Sequence, residues 1–173
     1  MNLLEFFKPV TTLIFDIDGV LTDGGILVFE TGEQVRQMSV KDGYALQLAV
    51  KKKYNLAVIS GGNGVGASVR LQKLGITNVF LNVTDKTAII EDYFQKNQLT
   101  WAETLYMGDD IPDYRPMKKA GMPSAPADAA PEILEIARYI SPYGGGKGCV
   151  RDVIEKLLRL HGNWGLESAV PSR

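Results

Sequence analysis

Asp16 and Asp18 stand two residues apart at the end of the apolar run Thr12 to Phe15, where both side chains can face the mouth of a sheet. A carboxylate so placed can attack phosphorus and form an acyl-phosphate. Its neighbour can protonate a leaving alkoxide and activate water on the return step. Ser60 ends a second apolar run, Lys86 opens a helical pattern, and Gly108-Asp109-Asp110 with Asp113 closes a further run. Ser60 and Lys86 suit the phosphoryl oxygens. Carboxylates gathered at one place repel each other unless a cation lies among them, and an oxygen-only donor set suits Mg²⁺. No His or Cys cluster points to a transition metal.

These residues need a scaffold that brings strand ends together. Strands are expected at Thr12 to Phe15, Leu56 to Ile59, Val79 to Leu81 and Thr104 to Met107, with a short fifth at Tyr139-Ile140. Helical patterns fit Asp42 to about Lys53, Val65 to Leu74, Asp85 to Lys96, Asp113 to Ala120, Pro131 to Ala137 and Val150 to Leu160, the first capped by Asp42. Strands alternating with helices imply a parallel sheet covered on both faces, a Rossmann-like α/β fold whose site lies outside the carboxyl ends of its strands. The exception is Ile26 to Phe29 and Gln34 to Val40 around Thr31-Gly32-Glu33, which reads as a projecting β-hairpin. Ala125 to Ala130 and Gly144 to Gly148 read as loops. One domain is expected over residues 1–161, with a loosely held tail over 162–173.

The chain of 173 residues has a formal net charge of −1, which offers no reason to expect nucleic acid or an anionic membrane as partner. The single cysteine, Cys149, excludes an intrachain disulfide and reads as a small buried hydrophobe. His161 reads as exposed and idle, Trp101 and Trp164 as packing residues, and Thr100 to Glu103 as a capping box. The N-terminus does not read as a signal peptide and no apolar run matches a bilayer span, so a cytoplasmic location is expected.

The run Asp16-Ile17-Asp18-Gly19-Val20-Leu21-Thr22-Asp23-Gly24 resembles the first motif of the haloacid dehalogenase-like phosphatases. Ser60, Lys86 and Gly108 to Asp113 match the other three motifs in order. Within that superfamily the chain resembles the capless 3-deoxy-D-manno-octulosonate 8-phosphate phosphatases and their nonulosonate 9-phosphate relatives. The hairpin, Val40-Lys41-Asp42-Gly43-Tyr44, Lys86 after Asp85, and Gly144 to Gly148 before Val150-Arg151-Asp152 carry that likeness. The resemblance implies Mg²⁺ held by Asp16, the backbone carbonyl of Asp18 and Asp109, with Asp113 in support. It places Ser39, Val40, Lys41, Asp42, Gly43, Arg70 and Lys86 along the substrate. It also implies a homotetramer built on the hairpins, with Lys147 near a neighbour's site. After Ser60-Gly61 the octulosonate enzymes usually carry arginine and the nonulosonate enzymes glutamate; this chain carries Gly62. The expected substrate is thus octulosonate 8-phosphate, with a nonulosonate 9-phosphate or a simple sugar phosphate as alternatives.

Gly62-Asn63-Gly64-Val65-Gly66-Ala67 supplies a reading of another class. It matches a dinucleotide fingerprint after a strand and before a helix, with Asp85 at a fitting separation. That reading leaves the carboxylates unexplained. A catalytically idle interaction subunit is a third reading, opposed by the intact Asp16 and Asp18.

Overall fold

In the computed structural model, which describes residues 3–165 and 170, Thr12–Phe15 forms the strand β1, buried along its whole length. The short strands β2 (Leu27–Val28) and β3 (Gln34–Val35) follow as an antiparallel hairpin with Leu27 opposite Val35. Then come β4 (Asn55–Ile59), β5 (Asn78–Phe80), β6 (Thr104–Met107), β7 (Met122–Ala125) and β8 (Tyr139–Ile140). With β1 these make a six-stranded sheet in the order β5-β4-β1-β6-β7-β8, every neighbouring pair parallel. The helices are α1 (Leu3–Phe7), α2 (Val40–Lys51), α3 (Val65–Lys73), α4 (Lys86–Asn97), α5 (Tyr114–Lys119), α6 (Pro131–Ile136) and α7 (Cys149–Leu160).

Strand alternation builds two cores from one sheet. Leu13, Phe15, Leu56, Val58, Leu105 and Met107 face one way and pack with Leu46 of α2, Leu71 of α3 and Val153, Ile154 and Leu157 of α7. Ile14, Ala57, Ile59 and Tyr106 face the other way and pack with Ile90 and Phe94 of α4, Met117 of α5 and Ile133 of α6. The expected α/β class, with helices on both faces, is the observed one. No helix among the described residues is long and apolar enough to cross a membrane.

Several local expectations change. Met122–Ala125 is a strand, hidden in the sequence by Pro123. Its carbonyl accepts from Arg138 N–H at 2.8 Å on the β8 side, and the N–H that proline lacks would lie on that same side. The missing donor therefore faces the short edge strand and spares the ladder to β6. Helix α1 was not expected, and Phe7 anchors it in the core. Helix α2 is capped by Ser39, whose Oγ accepts from Asp42 N–H at 3.3 Å. Asp42 is buried and turns its carboxylate to α7, accepting Arg151 N–H at 2.8 Å.

His161 has partners: it stacks on Tyr54 with centroids 5.9 Å apart, sharing a 2.5 Å hydrogen bond with the Tyr54 hydroxyl. The Thr100 hydroxyl donates to the Glu103 carboxylate at 2.9 Å instead of the cap's backbone bonds. Cys149 is buried as expected, and burial pushes its thiol up to about 12. In the tail, Trp164 meets Tyr44 edge to face at 6.1 Å and Val170 is buried in the core. Residues 166–169 and 171–173 of the expected loose tail lie outside the described residues.

Candidate active site

The carboxyl ends of β1, β4 and β6 lie side by side at the centre of the sheet, so Asp16, Ser60 and Asp109 converge there. Asp16 N–H donates to the Met107 carbonyl at 3.1 Å and Ser60 N–H to that of Phe80 at 2.9 Å, continuing the ladders into the site. Lys86, in the first turn of α4, points its buried ammonium between two carboxylates, 2.7 Å from Asp113 Oδ1 and 3.0 Å from Asp16 Oδ1. Asp113 also accepts the Tyr106 hydroxyl at 2.5 Å and Asp109 N–H at 3.2 Å. Asp113 is thereby hydrogen-bonded through both oxygens.

The loop from Ile17 to Leu21 turns under this cluster. Gly19 has φ of 88°, and a Cβ there would lie 1.9 Å from Asp109 Oδ2, so only glycine lets β1 and β6 present their carboxylates together. Behind it, the segment Gly144 to Gly148 packs on the loop backbone. Gly146 N–H donates to the Val20 carbonyl at 2.9 Å, and a Cβ at Gly145 would lie 2.1 Å from the Gly19 carbonyl oxygen. This glycine segment therefore fixes the catalytic loop from behind.

Crowding sets the electrostatics. Burial, then the Asp113 charge, pushes Asp16 up to about 7 against the pull of Lys86. Burial, then the charges of Asp16 and Asp113, pushes Asp109 up to about 8. Burial opposes the Lys86 charge, and Asp113 and Asp16 outweigh it, so the lysine pKa is raised. Ligand oxygens of Asp16, Asp109 and Asp113 lie within 4.8 Å of one another, an all-oxygen donor set that fits Mg²⁺. The Asp18 carboxylate stands outside that set. Arg36, just beyond β3, holds it through Nε at 2.6 Å from Oδ1 and Nη2 at 3.2 Å from Oδ2.

The carboxylates, Ser60, Gly62 and Lys86 line a pocket of about 290 Å³. A larger cleft of about 790 Å³ runs alongside between the hairpin and α3, lined by Arg36, Asn63 and Arg70. The chemistry belongs to the smaller space, where the carboxylates are. Ser60 lies in it, its Oγ accepting Gly62 N–H at 3.1 Å. Ser39 and Asp42 are occupied as helix caps, Val40 is exposed, and Gly43 leaves room for Arg70, whose Nη2 would be 3.0 Å from a Cβ there. Lys41 and Lys147 line a different groove, beside Arg151 and Arg159 of α7, and Lys147 lies 3.5 Å from Asp23. Within one chain the structure does not bring those two lysines to Asp16.

Two residues of the site escaped the sequence reading. Arg36 lies eighteen positions from Asp18 on a ribbon that reads as pure projection, and nothing in the spacing joins them. Tyr106 looks like an ordinary strand aromatic, although a hydroxyl at a fully buried position needs a partner, and Asp113 is that partner. The dinucleotide reading loses its acidic residue, because the Asp85 carboxylate caps α4 by accepting Ala88 N–H at 3.1 Å.

No protein-family model matches the chain. It is 34% identical over 155 residues to 3-deoxy-D-manno-octulosonate 8-phosphate phosphatase KdsC of Escherichia coli K12, covering 90% of this chain and 82% of that protein. The octulosonate 8-phosphate phosphatase of Moraxella catarrhalis, solved with magnesium ion, phosphate ion and KDO, superposes with a TM-score of 0.90 at 27% identity, covering 93% of this chain and 92% of that one. A HAD superfamily (subfamily III A) hydrolase of Legionella pneumophila gives a TM-score of 0.89 at 31% identity, covering 92% and 88%. With four motifs meeting at one sheet edge and relatives matching along nearly the whole chain, this phosphoric monoester hydrolase belongs to the 3-deoxy-D-manno-octulosonate 8-phosphate phosphatase family of the haloacid dehalogenase superfamily.

Proposed function

We propose that the chain hydrolyses 3-deoxy-D-manno-octulosonate 8-phosphate through a phosphoryl group carried on Asp16. The observation that supports this most is the buried Asp16, Asp109 and Asp113 set around Lys86 at the carboxyl edge of the sheet. An oxygen of Asp16 attacks phosphorus, the ester P–O bond breaks, and Asp18 delivers a proton to the departing sugar oxygen. Asp18 then takes a proton from water, whose oxygen attacks phosphorus, freeing inorganic phosphate and restoring Asp16. Ser60 and Lys86 hold the phosphoryl oxygens through this exchange. Mg²⁺ held by Asp16, Asp109 and Asp113, with the Asp18 backbone carbonyl, offsets the charge that carboxylates and phosphate bring together. The likeness to the KDO-bound Moraxella enzyme supports the sugar assignment.

The site is open, and we propose that a homotetramer closes it. Leu27 and Val28 are 63% and 62% exposed on a two-stranded ribbon, an apolar edge that a second copy of the chain would cover. The family resemblance supports four copies, with Lys147 near a neighbour's site.

Three expected outcomes follow from this reading. On a panel of phosphate esters, kcat/KM for the octulosonate 8-phosphate should exceed that for hexose phosphates by about a hundredfold or more. Equal efficiency would favour a simple sugar phosphatase, and a preference for a nonulosonate 9-phosphate would move the assignment to that sugar. For the metal, the readout is thermal unfolding. Without a cation, Asp16 and Asp109 titrate near 7 and 8, above their ordinary 3.8. Their stabilising contribution is complete below the ordinary value and is lost as pH rises through 7 to 8. Mg²⁺ should therefore raise Tm more at pH 8 than at pH 6; no shift, or the same shift at both, would remove the carboxylates as its ligands. Light scattering should give a tetramer that Leu27→Lys with Val28→Lys breaks into smaller species. A monomeric wild-type protein would refute the assembly.

A further inference from the structure

The ion pair between Arg36 and Asp18 joins the hairpin to the chemistry. Its guanidinium side chain is only 6% exposed although it stands on an otherwise exposed ribbon. Two of its N–H groups grip both Asp18 oxygens, at 2.6 and 3.2 Å, in the fork geometry that makes an arginine–carboxylate pair directional. The space it fills is the space above Gly62. A Cβ at position 62 would lie 3.2 Å from Asp18 Oδ2, 3.3 Å from Arg36 Nη2 and 3.6 Å from Ser60 Oγ. The absent side chain at Gly62 and the buried arginine are thus complementary: a Cβ at 62 would require the guanidinium or the Asp18 carboxylate to give by a few tenths of an ångström.

We propose that Arg36 is a positioning residue that fixes the Asp18 carboxylate beside the leaving oxygen of the ester. This rests on the reading of Asp18 as the proton carrier. A carboxylate offers about four lone-pair sites and the fork occupies two, so each oxygen keeps a site for the proton it exchanges. Fixing both oxygens removes rotation about the terminal torsion of Asp18, which is otherwise broad. Misplacing a reacting group by about 1 Å can lower a rate roughly a hundredfold. In the second half-reaction, where Asp18 activates water, the effect falls on every ester alike; in the first it is confined to esters whose leaving oxygen needs the proton. An ester with a poor leaving group depends on it, and an aryl phosphate such as p-nitrophenyl phosphate leaves without it.

The test compares the first-turnover rate of leaving-group release from an alkyl phosphate substrate and from p-nitrophenyl phosphate in wild type, Arg36→Met, Arg36→Lys, Gly62→Ala and the Arg36→Met/Gly62→Ala pair. Arg36→Met should lower this rate on the alkyl ester by about ten- to a hundredfold and on the aryl ester by less than about threefold. Arg36→Lys should recover part of the loss, because an ammonium restores the charge without the fork. Gly62→Ala should show a smaller loss with the same dependence on leaving group, and the double variant should lose less than the product of the two. Equal losses on both esters would mean that Arg36 only anchors the hairpin and would overturn the proposal; so would an unchanged alkyl-ester rate. Asp18→Asn separates the underlying reading. If it too lacks the split between esters, the proton role of Asp18 fails and that of Arg36 with it; if it shows the split and Arg36→Met does not, Arg36 alone is refuted. An error in the sugar would appear in the wild-type panel and leave these variant ratios unaffected.

Discussion

The site depends on one buried ammonium. Lys86 lies within 3.0 Å of both Asp16 and Asp113, and without it two buried carboxylates would face each other with Asp109 alongside. Removing one partner from such a buried group typically costs about 3–5 kcal/mol, because the charge that remains has neither water nor a counter-ion. The lysine reaches this position because Asp85 caps α4 and starts the helix at Lys86, at the edge of the pocket. Asp113 is held from its other side by the Tyr106 hydroxyl and the Asp109 backbone, so the ammonium is placed against a fixed partner. Asp16 is the partner left with work to do.

Everything outside that cluster presents or steadies it. The parallel sheet sets the ends of β1, β4 and β6 side by side, and burial on both faces keeps them there. Glycine does the rest: Gly19 lets Asp109 approach the catalytic loop, and Gly145 lets the segment before α7 press against that loop. Helix α7 is in turn tied to α2 by the Asp42 carboxylate on its Arg151 N–H. The loop that carries Asp16 and Asp18 is therefore braced by a helix from the far end of the chain. The hairpin contributes at closer range, through Arg36 on Asp18.

Much of this was legible in the residues. Apolar runs ending in acidic or hydroxyl groups located β1, β4 and β6 and named Asp16, Asp18, Ser60, Lys86 and Asp109, because strand ends and charge repulsion are local in sequence. What could not be read depends on distance along the chain. Arg36 meets Asp18 only through the path of the hairpin, and Met122–Ala125 pairs as a strand despite a proline whose missing donor happens to face a short edge. The caps follow the same logic. Ser39 and Asp42 both have capping chemistry, and only the packing of α2 on α7 decides which helix each one serves. Within one chain Lys41 and Lys147 both lie in the groove beside α7.

The central claim is that Asp16 carries the phosphoryl group, and direct detection of that adduct tests it. The Asp18→Asn variant should form the adduct from a good-leaving-group phosphate and hydrolyse it slowly, since the group that activates water is gone. Acid quenching followed by peptide mass analysis should then find one phosphoryl group on the peptide containing Asp16, and none when Asp16→Asn is added. Turnover with no adduct on Asp16, or an adduct on any other residue, would contradict the account.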